Sequence, residues 1–332
     1  MALGRNSSAV STSLEDCENR VMIEVCSSVL RVENFISSGP SLDMVSSLII
    51  GSEAALLIDM PLAVPQAEEL AAWVVKTTDK PLVAAFTTHF HPDHYLSGSA
   101  FLAHFPETKY YANSKAVALI KNEVEEKLKV WSGILGADAV VEKATVPTPY
   151  DFTFFALPGN ENEPIELLSP LVADTIDETL FWIPSIKTLI AGDSVYSHTV
   201  HLWLADLLSP ALTSAWLSTL DFIQHLKPAV IIPGHALSVE GFGPSVDVEH
   251  SRRYVSFFQK EIEAKGLDFF TPADIVGMLD GAFPGLLNGT SQTSKTLVDI
   301  SGDQFGRNGT RQVHYVHLAS YNNTAELEGW KL

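Results

Sequence analysis

A cluster of histidine and aspartate side chains directly after an apolar run is the feature that most constrains this chain. Leu82–Phe86 predicts a buried strand, and His89, His91, Asp93 and His94 follow it, so three of the eleven histidines fall within six positions. Imidazole and carboxylate groups that converge from strand-end loops commonly hold catalytic metal ions, because the sheet fixes the loop bases. The spacing allows two side chains to face each way, enough for two adjacent ions.

The first half of the chain alternates strands with helices. Val21–Val32 alternates imperfectly, and a turn at Gly51–Glu53 joins two apolar runs into a predicted hairpin. The hairpin runs are Val45–Ile50 and Ala54–Ile58; helices are predicted over Gln66–Lys76, Ser97–Phe105 and Ser114–Val130, with a short strand at Tyr110–Tyr111.

The second half repeats this alternation. Short apolar runs parted by turn residues predict three antiparallel strands, which are Leu171–Ala173, Thr179–Ile183 and Thr188–Ala191. Helices are predicted over Ala211–Leu226, Val246–Lys265 and Pro272–Leu279, and strands over Ala229–Ile232 and Gln312–Leu318.

Residues 147–170 are rich in proline and contain an acidic stretch, which favours an irregular segment or a strand pair with a mobile loop. We expect this segment to form a lid. Its aromatic residues, together with Trp203, would supply an apolar wall for a substrate; they are Phe152, Phe154 and Phe155.

The motif His89-x-His91-x-Asp93-His94 resembles the signature of the metallo-β-lactamase superfamily. Three further stretches resemble its other motifs, in the expected order: the run ending at Asp59, the run Leu189–Asp193, and the run ending at His235. The resemblance implies an α/β fold, a four-layer αβ/βα sandwich of two mixed β-sheets flanked by helices. It also implies that Asp59 supports the metal loop and that Asp193 bridges two metals.

One motif departs from the family pattern. Members usually carry a histidine about 19 residues before the bridging aspartate, and this position here falls on Asp174. The resemblance then implies a first site of His89, His91, Asp174 and Asp193, and a second of Asp93, His94, His235 and Asp193. Asp177 or Glu178 could replace Asp174 as the ligand, or the protein could hold one ion. Two zinc ions are expected, and the carboxylate makes manganese or iron possible.

The resemblance implies a metal-dependent hydrolase in which a metal-bound hydroxide opens a small cyclic amide or ester, as lactamases and lactonases do, with Asp93 handling the proton. A thioester hydrolase, a mononuclear iron oxygenase and a catalytically silent binder stay open as alternatives. His198, His201 and Trp203 are candidates for substrate binding, although both histidines could equally be packing residues.

Composition narrows the classes of partner. A net charge of −19 disfavours binding to nucleic acid, and neither a signal-peptide core nor a long apolar run is visible, which predicts a cytoplasmic protein without a membrane partner. Cys17 and Cys26 lack the spacing of a thiolate zinc site.

We expect residues 1–20 to be a flexible segment and residues 21–332 one domain with a C-terminal extension of helices and a strand; the oligomeric state stays open.

Overall fold

The computed structural model describes residues 30–311, and these form two β-sheets packed face to face with helices on both outer faces. The first sheet has strand order β1-β2-β3-β4-β5-β6 and the second has order β11-β10-β9-β8-β7. Each contains parallel and antiparallel pairs, so both sheets are mixed, as expected.

The strands of the first sheet are β1 (Arg31–Ser37), β2 (Met44–Ile50), β3 (Ala55–Ile58), β4 (Leu82–Phe86), β5 (Lys109–Ala112) and β6 (Thr148–Pro149). Those of the second are β7 (Phe154–Phe155), β8 (Ile165–Leu171), β9 (Glu178–Ile183), β10 (Thr188–Gly192) and β11 (Val230–Pro233). The helices are α1 (Val64–Thr77), α2 (Gly98–Ala103), α3 (Ser114–Leu135), α4 (Pro210–Leu226), α5 (Val246–Phe257), α6 (Pro272–Ala282) and α7 (Thr293–Phe305).

Alternation along the strands builds the layers. In β3, Leu57 faces the core that α1 and α3 cover, whereas Leu56 and Ile58 face the second sheet. In β9, Phe181 faces the first sheet, and Leu180 faces the core that α4–α7 cover. Strands buried on both faces have no polar side, which explains their nearly continuous apolar runs.

Most predicted elements are confirmed, including the β2–β3 hairpin and the antiparallel pairing of β9 with β10. The strand predicted over Leu171–Ala173 is wrong, because β8 ends at Leu171 and the chain then enters the loop that contains Asp174. The predictions for residues 1–20, most of Val21–Val32 and Gln312–Leu318 fall outside the described residues.

The lid predicted over residues 147–170 is corrected by the fold. Asn160 accepts a hydrogen bond from the Ser52 backbone N–H at 2.8 Å, in the β2–β3 turn. That turn precedes β3, whereas Asp59 follows its other end. Phe155 packs edge-on against Phe86 between the sheets. The acidic loop around Asn160 therefore lies at the end of the sandwich away from the histidine cluster.

Candidate metal centre

The predicted ligands come together because several strands end at the same edge of the sandwich. β3 and β4 are parallel, so Asp59 and the His89–His94 loop leave the first sheet side by side. β10 and β11 are also parallel, which brings Asp193 and His235 together. The two edges are joined by backbone hydrogen bonds, Thr179 N–H to the Thr88 carbonyl at 2.9 Å among them.

The seven predicted ligand side chains form two buried groups. The first contains His89, His91, Asp174 and Asp193, and the second contains Asp93, His94 and His235; within each group the candidate ligand atoms lie within 4.8 Å of one another. Asp193 also reaches the second group, with Oδ1 3.2 Å from His94 Nε2 and Oδ2 3.2 Å from His235 Nε2. The structure thus brings together every residue that the motifs indicated.

Each histidine has one ring nitrogen anchored by an oxygen and the other directed at the carboxylates. His94 Nδ1 contacts Asp59 Oδ2 at 2.9 Å, and His235 Nδ1 contacts the Leu42 carbonyl at 2.7 Å, which leaves each Nε2 facing Asp193. His89 Nδ1 contacts Thr88 Oγ1 at 2.9 Å. Such anchoring fixes the ring orientation and the tautomer of metal-binding histidines.

His91 is anchored through its other nitrogen. Its Nε2 lies 2.8 Å from Asp206 Oδ2, and its Nδ1 lies 3.3 Å from Asp174 Oδ2. Asp206 also accepts a hydrogen bond of 2.7 Å from Trp203 Nε1. Asp206 was missed from the sequence because it lies 115 positions from His91 and outside every motif.

A second unpredicted residue, Tyr196, lies between the two carboxylates of the first group. Its hydroxyl contacts Asp193 Oδ2 at 2.6 Å and Asp174 Oδ2 at 3.0 Å, and its ring stacks on His235. Two carboxylates this close are costly to bury, so a hydroxyl proton shared between them stabilises the arrangement. Its position three residues after Asp193 is the one local feature of the sequence that could have indicated its place in the centre.

The electrostatics of the centre follow from burial and from the proximity of opposite charges. Burial would lower the pKa of both His94 and His235, but Asp193 and Asp59 raise that of His94 well above its ordinary value, and Asp193 with Asp93 raises that of His235 to about 10. Burial opposes ionisation of Asp193, yet the neighbouring histidines hold its pKa well below the usual range. The centre is therefore arranged to hold positive charge around Asp193.

The donor set fits a pair of bound cations. His89 Nε2, His94 Nε2, Asp174 Oδ1 and Asp193 Oδ1 are buried and make no hydrogen bond to the described residues. Buried polar atoms rarely lack partners, so an ion is the natural occupant. Two ligands of a tetrahedral zinc lie roughly 3.3 Å apart, close to the separations of 3.2 and 3.3 Å found here.

Glu178 and Asp177, the alternative ligands, lie beside the first group. Glu178 Oε1 lies 3.3 Å from His89 Nδ1, the nitrogen that faces away from Asp193. Burial and the nearby Asp174 raise the pKa of Glu178 well above its ordinary value, which favours its uncharged form. Burial raises the pKa of Asp177 to about 7, and its Oδ1 accepts from Thr175 Oγ1 at 2.8 Å. The geometry favours Asp174 as the ligand.

Two glycines make room for these side chains. A Cβ at Gly234 would overlap Asp193 Oδ1, and a Cβ at Gly192, which has φ of +51°, would lie 2.9 Å from the Thr88 side chain. Both positions therefore require glycine, one for close approach and one also for its backbone conformation. The glycines of the two strand-end motifs thus serve the metal centre directly.

The centre opens into a cavity of about 430 Å³ whose floor includes His91, Asp93, Asp193 and His235. Trp203 lines this cavity, as predicted, with its ring centre 5.4 Å from that of His91. Phe152, Phe154 and Phe155 do not line it, which corrects the predicted aromatic wall. The wall is formed instead by α3 and α7.

His198 and His201 are not at the cavity, so their assignment as substrate-binding residues is corrected. His198 is largely exposed and contacts Asp247 Oδ1 at 2.7 Å. His201 is buried beside Tyr254, at 2.9 Å from its hydroxyl. Both lie in the chain segment after Asp193, but the backbone directs them towards α5 and α7.

Comparison with known proteins agrees with these observations. The family description "Metallo-beta-lactamase superfamily" matches residues 41–235, which is more than half of the chain. The chain belongs to the metallo-β-lactamase superfamily. A relative in this superfamily, metallo-beta-lactamase IND-1 of Chryseobacterium indologenes, is 24% identical over 194 residues, covering 57% of this chain and 70% of the relative.

Solved structures of other metallo-β-lactamases are more distant. TMB-1 is 19% identical with a TM-score of 0.46, covering 70% of this chain and 99% of its own. The enzyme from Pontibacter korlensis is also 19% identical, with a TM-score of 0.47 and coverage of 68% and 99%. The fold assignment for the present chain rests on its own strand order and layers. Among the described residues no helix is both long and apolar enough to cross a membrane.

Proposed function

We propose that this superfamily member is a hydrolase that holds two cations, zinc by preference, and opens a small cyclic amide or ester. The observation that carries the proposal is the pair of buried ligand groups that share Asp193, at the floor of a cavity. Cations bound there would supply an activated water and polarise the substrate carbonyl at neutral pH.

Asp93 is the residue best placed to move a proton. It lines the cavity, and its Oδ2 lies 3.3 Å from His235 Nε2. Burial would raise its pKa, but His235 and His94 lower it, which keeps Asp93 in the carboxylate form that a proton acceptor needs. It takes the proton of the attacking water and returns it to the ring nitrogen or oxygen as the carbon–heteroatom bond breaks.

The neighbouring side chains hold the ligands in position and exclude solvent from one side of the cavity. Asp206 orients the His91 ring, the Tyr196 hydroxyl lies between two carboxylates and shares its proton with them, and Trp203 covers the side of the cavity next to His91. A ring opening needs the reacting carbonyl held next to the attacking oxygen, and this rigid surround lowers the entropic cost of that arrangement.

The test combines metal analysis with a substrate panel. Purified protein loaded with zinc is assayed against lactams, lactones and thioesters, alongside His91→Ala and the control His225→Ala, which alters an exposed histidine on α4. We expect hydrolysis of a lactam or lactone, lost in His91→Ala and kept in His225→Ala. Preferential thioester cleavage, iron-dependent oxygen consumption, or no turnover by the metal-loaded protein would each reject the proposal.

A further inference from the structure

The outer wall of the cavity is apolar and is formed largely by one face of α3. Val130, Trp131 and Ile134 line the cavity, and Leu297 and Ile300 of α7 line it as well. Val130 is 39% exposed and Ile134 is 64% exposed. Apolar side chains left open to solvent around a reactive centre mark a binding surface, because covering them releases ordered water.

The cationic side chains of this wall already have anionic partners. Lys127 Nζ lies 3.2 Å from Glu123 Oε2 and donates to the Phe90 carbonyl at 3.2 Å, and Arg311 is paired with Asp268. These are the cationic Lys and Arg side chains among the described residues that line the cavity. Both cations are thus partly neutralised by carboxylates, which weakens their attraction for an anionic substituent.

Resting on the hydrolase function proposed above, we propose that the substrate is uncharged and carries an apolar chain that lies along Val130, Trp131 and Ile134 while its carbonyl reaches Asp93. The wall thereby selects a neutral, alkyl-substituted lactone or lactam over one that bears a carboxylate. The cavity volume of about 430 Å³ accommodates such a ring with its substituent.

A matched substrate series tests the proposal. γ-Lactones bearing propyl, pentyl or heptyl substituents are compared with a lactone whose chain has the heptyl length but ends in a carboxylate. Burial of each methylene favours binding, so we expect kcat/KM to rise about two- to fourfold per added methylene. The carboxylate-ended lactone should lose at least about tenfold relative to heptyl, because its charge would face an apolar wall.

Matched variants locate the effect on α3. Ile134→Ser should reduce the ratio of heptyl to propyl kcat/KM about threefold or more. Val75→Ser, which alters a side chain 67% exposed on α1 and outside the cavity, should leave the ratio unchanged. Both replaced side chains are exposed, so folding is preserved in either variant.

A flat series, a preference for the carboxylate-ended lactone, or equal ratios in wild type and Ile134→Ser would overturn the inference. If neither a lactone nor a lactam is hydrolysed, the proposed function fails, but binding still decides the inference. Titration of the intrinsic tryptophan fluorescence with the same lactones should then give tighter binding of heptyl than propyl. Equal affinities would reject the apolar subsite.

Discussion

Replacement of Asp59 by asparagine tests how the fold prepares the second cation site. Asp59 is buried at the end of β3; its Oδ1 accepts from the Thr88 N–H at 2.7 Å, and its Oδ2 contacts Thr88 Oγ1 and His94 Nδ1, each at 2.9 Å. In Asp59→Asn the new amide N–H₂ would face His94 Nδ1. The imidazole then favours the tautomer with its proton on Nε2, the atom beside Asp193, and a protonated nitrogen cannot bind a cation.

The size of the effect follows from the hydrogen bond that is lost. A hydrogen bond to a charged group is worth about 1.5–3 kcal/mol, and about 1.4 kcal/mol corresponds to a factor of ten in an equilibrium constant. Zinc affinity at the site of Asp93, His94 and His235 should therefore fall roughly 10- to 100-fold. Affinity at the site of His89, His91 and Asp174 should fall less, because Asp59 reaches His89 only through the Thr88 hydroxyl.

Two measurements check this prediction. Competition between the protein and a zinc chelator gives both affinities, and two-bond ¹H–¹⁵N spectra of the histidine rings give the tautomer of His94. Asp79→Asn, which alters an exposed aspartate after α1, is the matched control. Wild-type affinity at both sites in Asp59→Asn, with the His94 tautomer unchanged, would refute the reasoning.

Other perturbations test separate parts of the account. Asp174→Ala should leave fewer than two zinc ions per chain by elemental analysis; an unchanged content would reject Asp174 as a ligand. Gly234→Ala should lose bound zinc, since the added methyl overlaps Asp193 Oδ1; full retention would contradict the packing argument. Burial lowers the pKa of His201 from 6.5 to about 4, so the unfolded chain binds its proton first and stability falls as the pH drops from about 6.5 to 4. This linkage amounts to about 3 kcal/mol; the slope of unfolding free energy against pH should be shallower in His201→Gln, and an equal slope would exclude the linkage.

Local sequence patterns predicted much of the fold, because strands buried on both faces have nearly continuous apolar sequences. Several of these apolar runs end in a ligand motif. His89, His91, Asp93 and His94 lie within one loop, so their convergence could be seen from spacing alone. Asp174, Asp193 and His235 required a resemblance to a known family, because β-sheet topology, not sequence distance, places them beside that loop.

The wrong and missed predictions concern residues whose positions depend on tertiary packing. Phe155 belongs to an aromatic run that looks like a pocket wall, but its strand lies at the edge of the second sheet and packs on Phe86. His201 looked like a pocket residue because it follows Asp193, but it is buried in the core and contacts the Tyr254 hydroxyl of α5. Asp206 was missed because a contact with His91 across 115 positions leaves no periodic signal.

The central claim is that two cations share Asp193, one among His89, His91 and Asp174 and one among Asp93, His94 and His235. Anomalous diffraction from crystals of the full chain grown with zinc tests it most directly. The account predicts two strong peaks, each within bonding distance of an Asp193 oxygen. Crystals with zinc at surface positions alone, and none among these buried side chains, would contradict it.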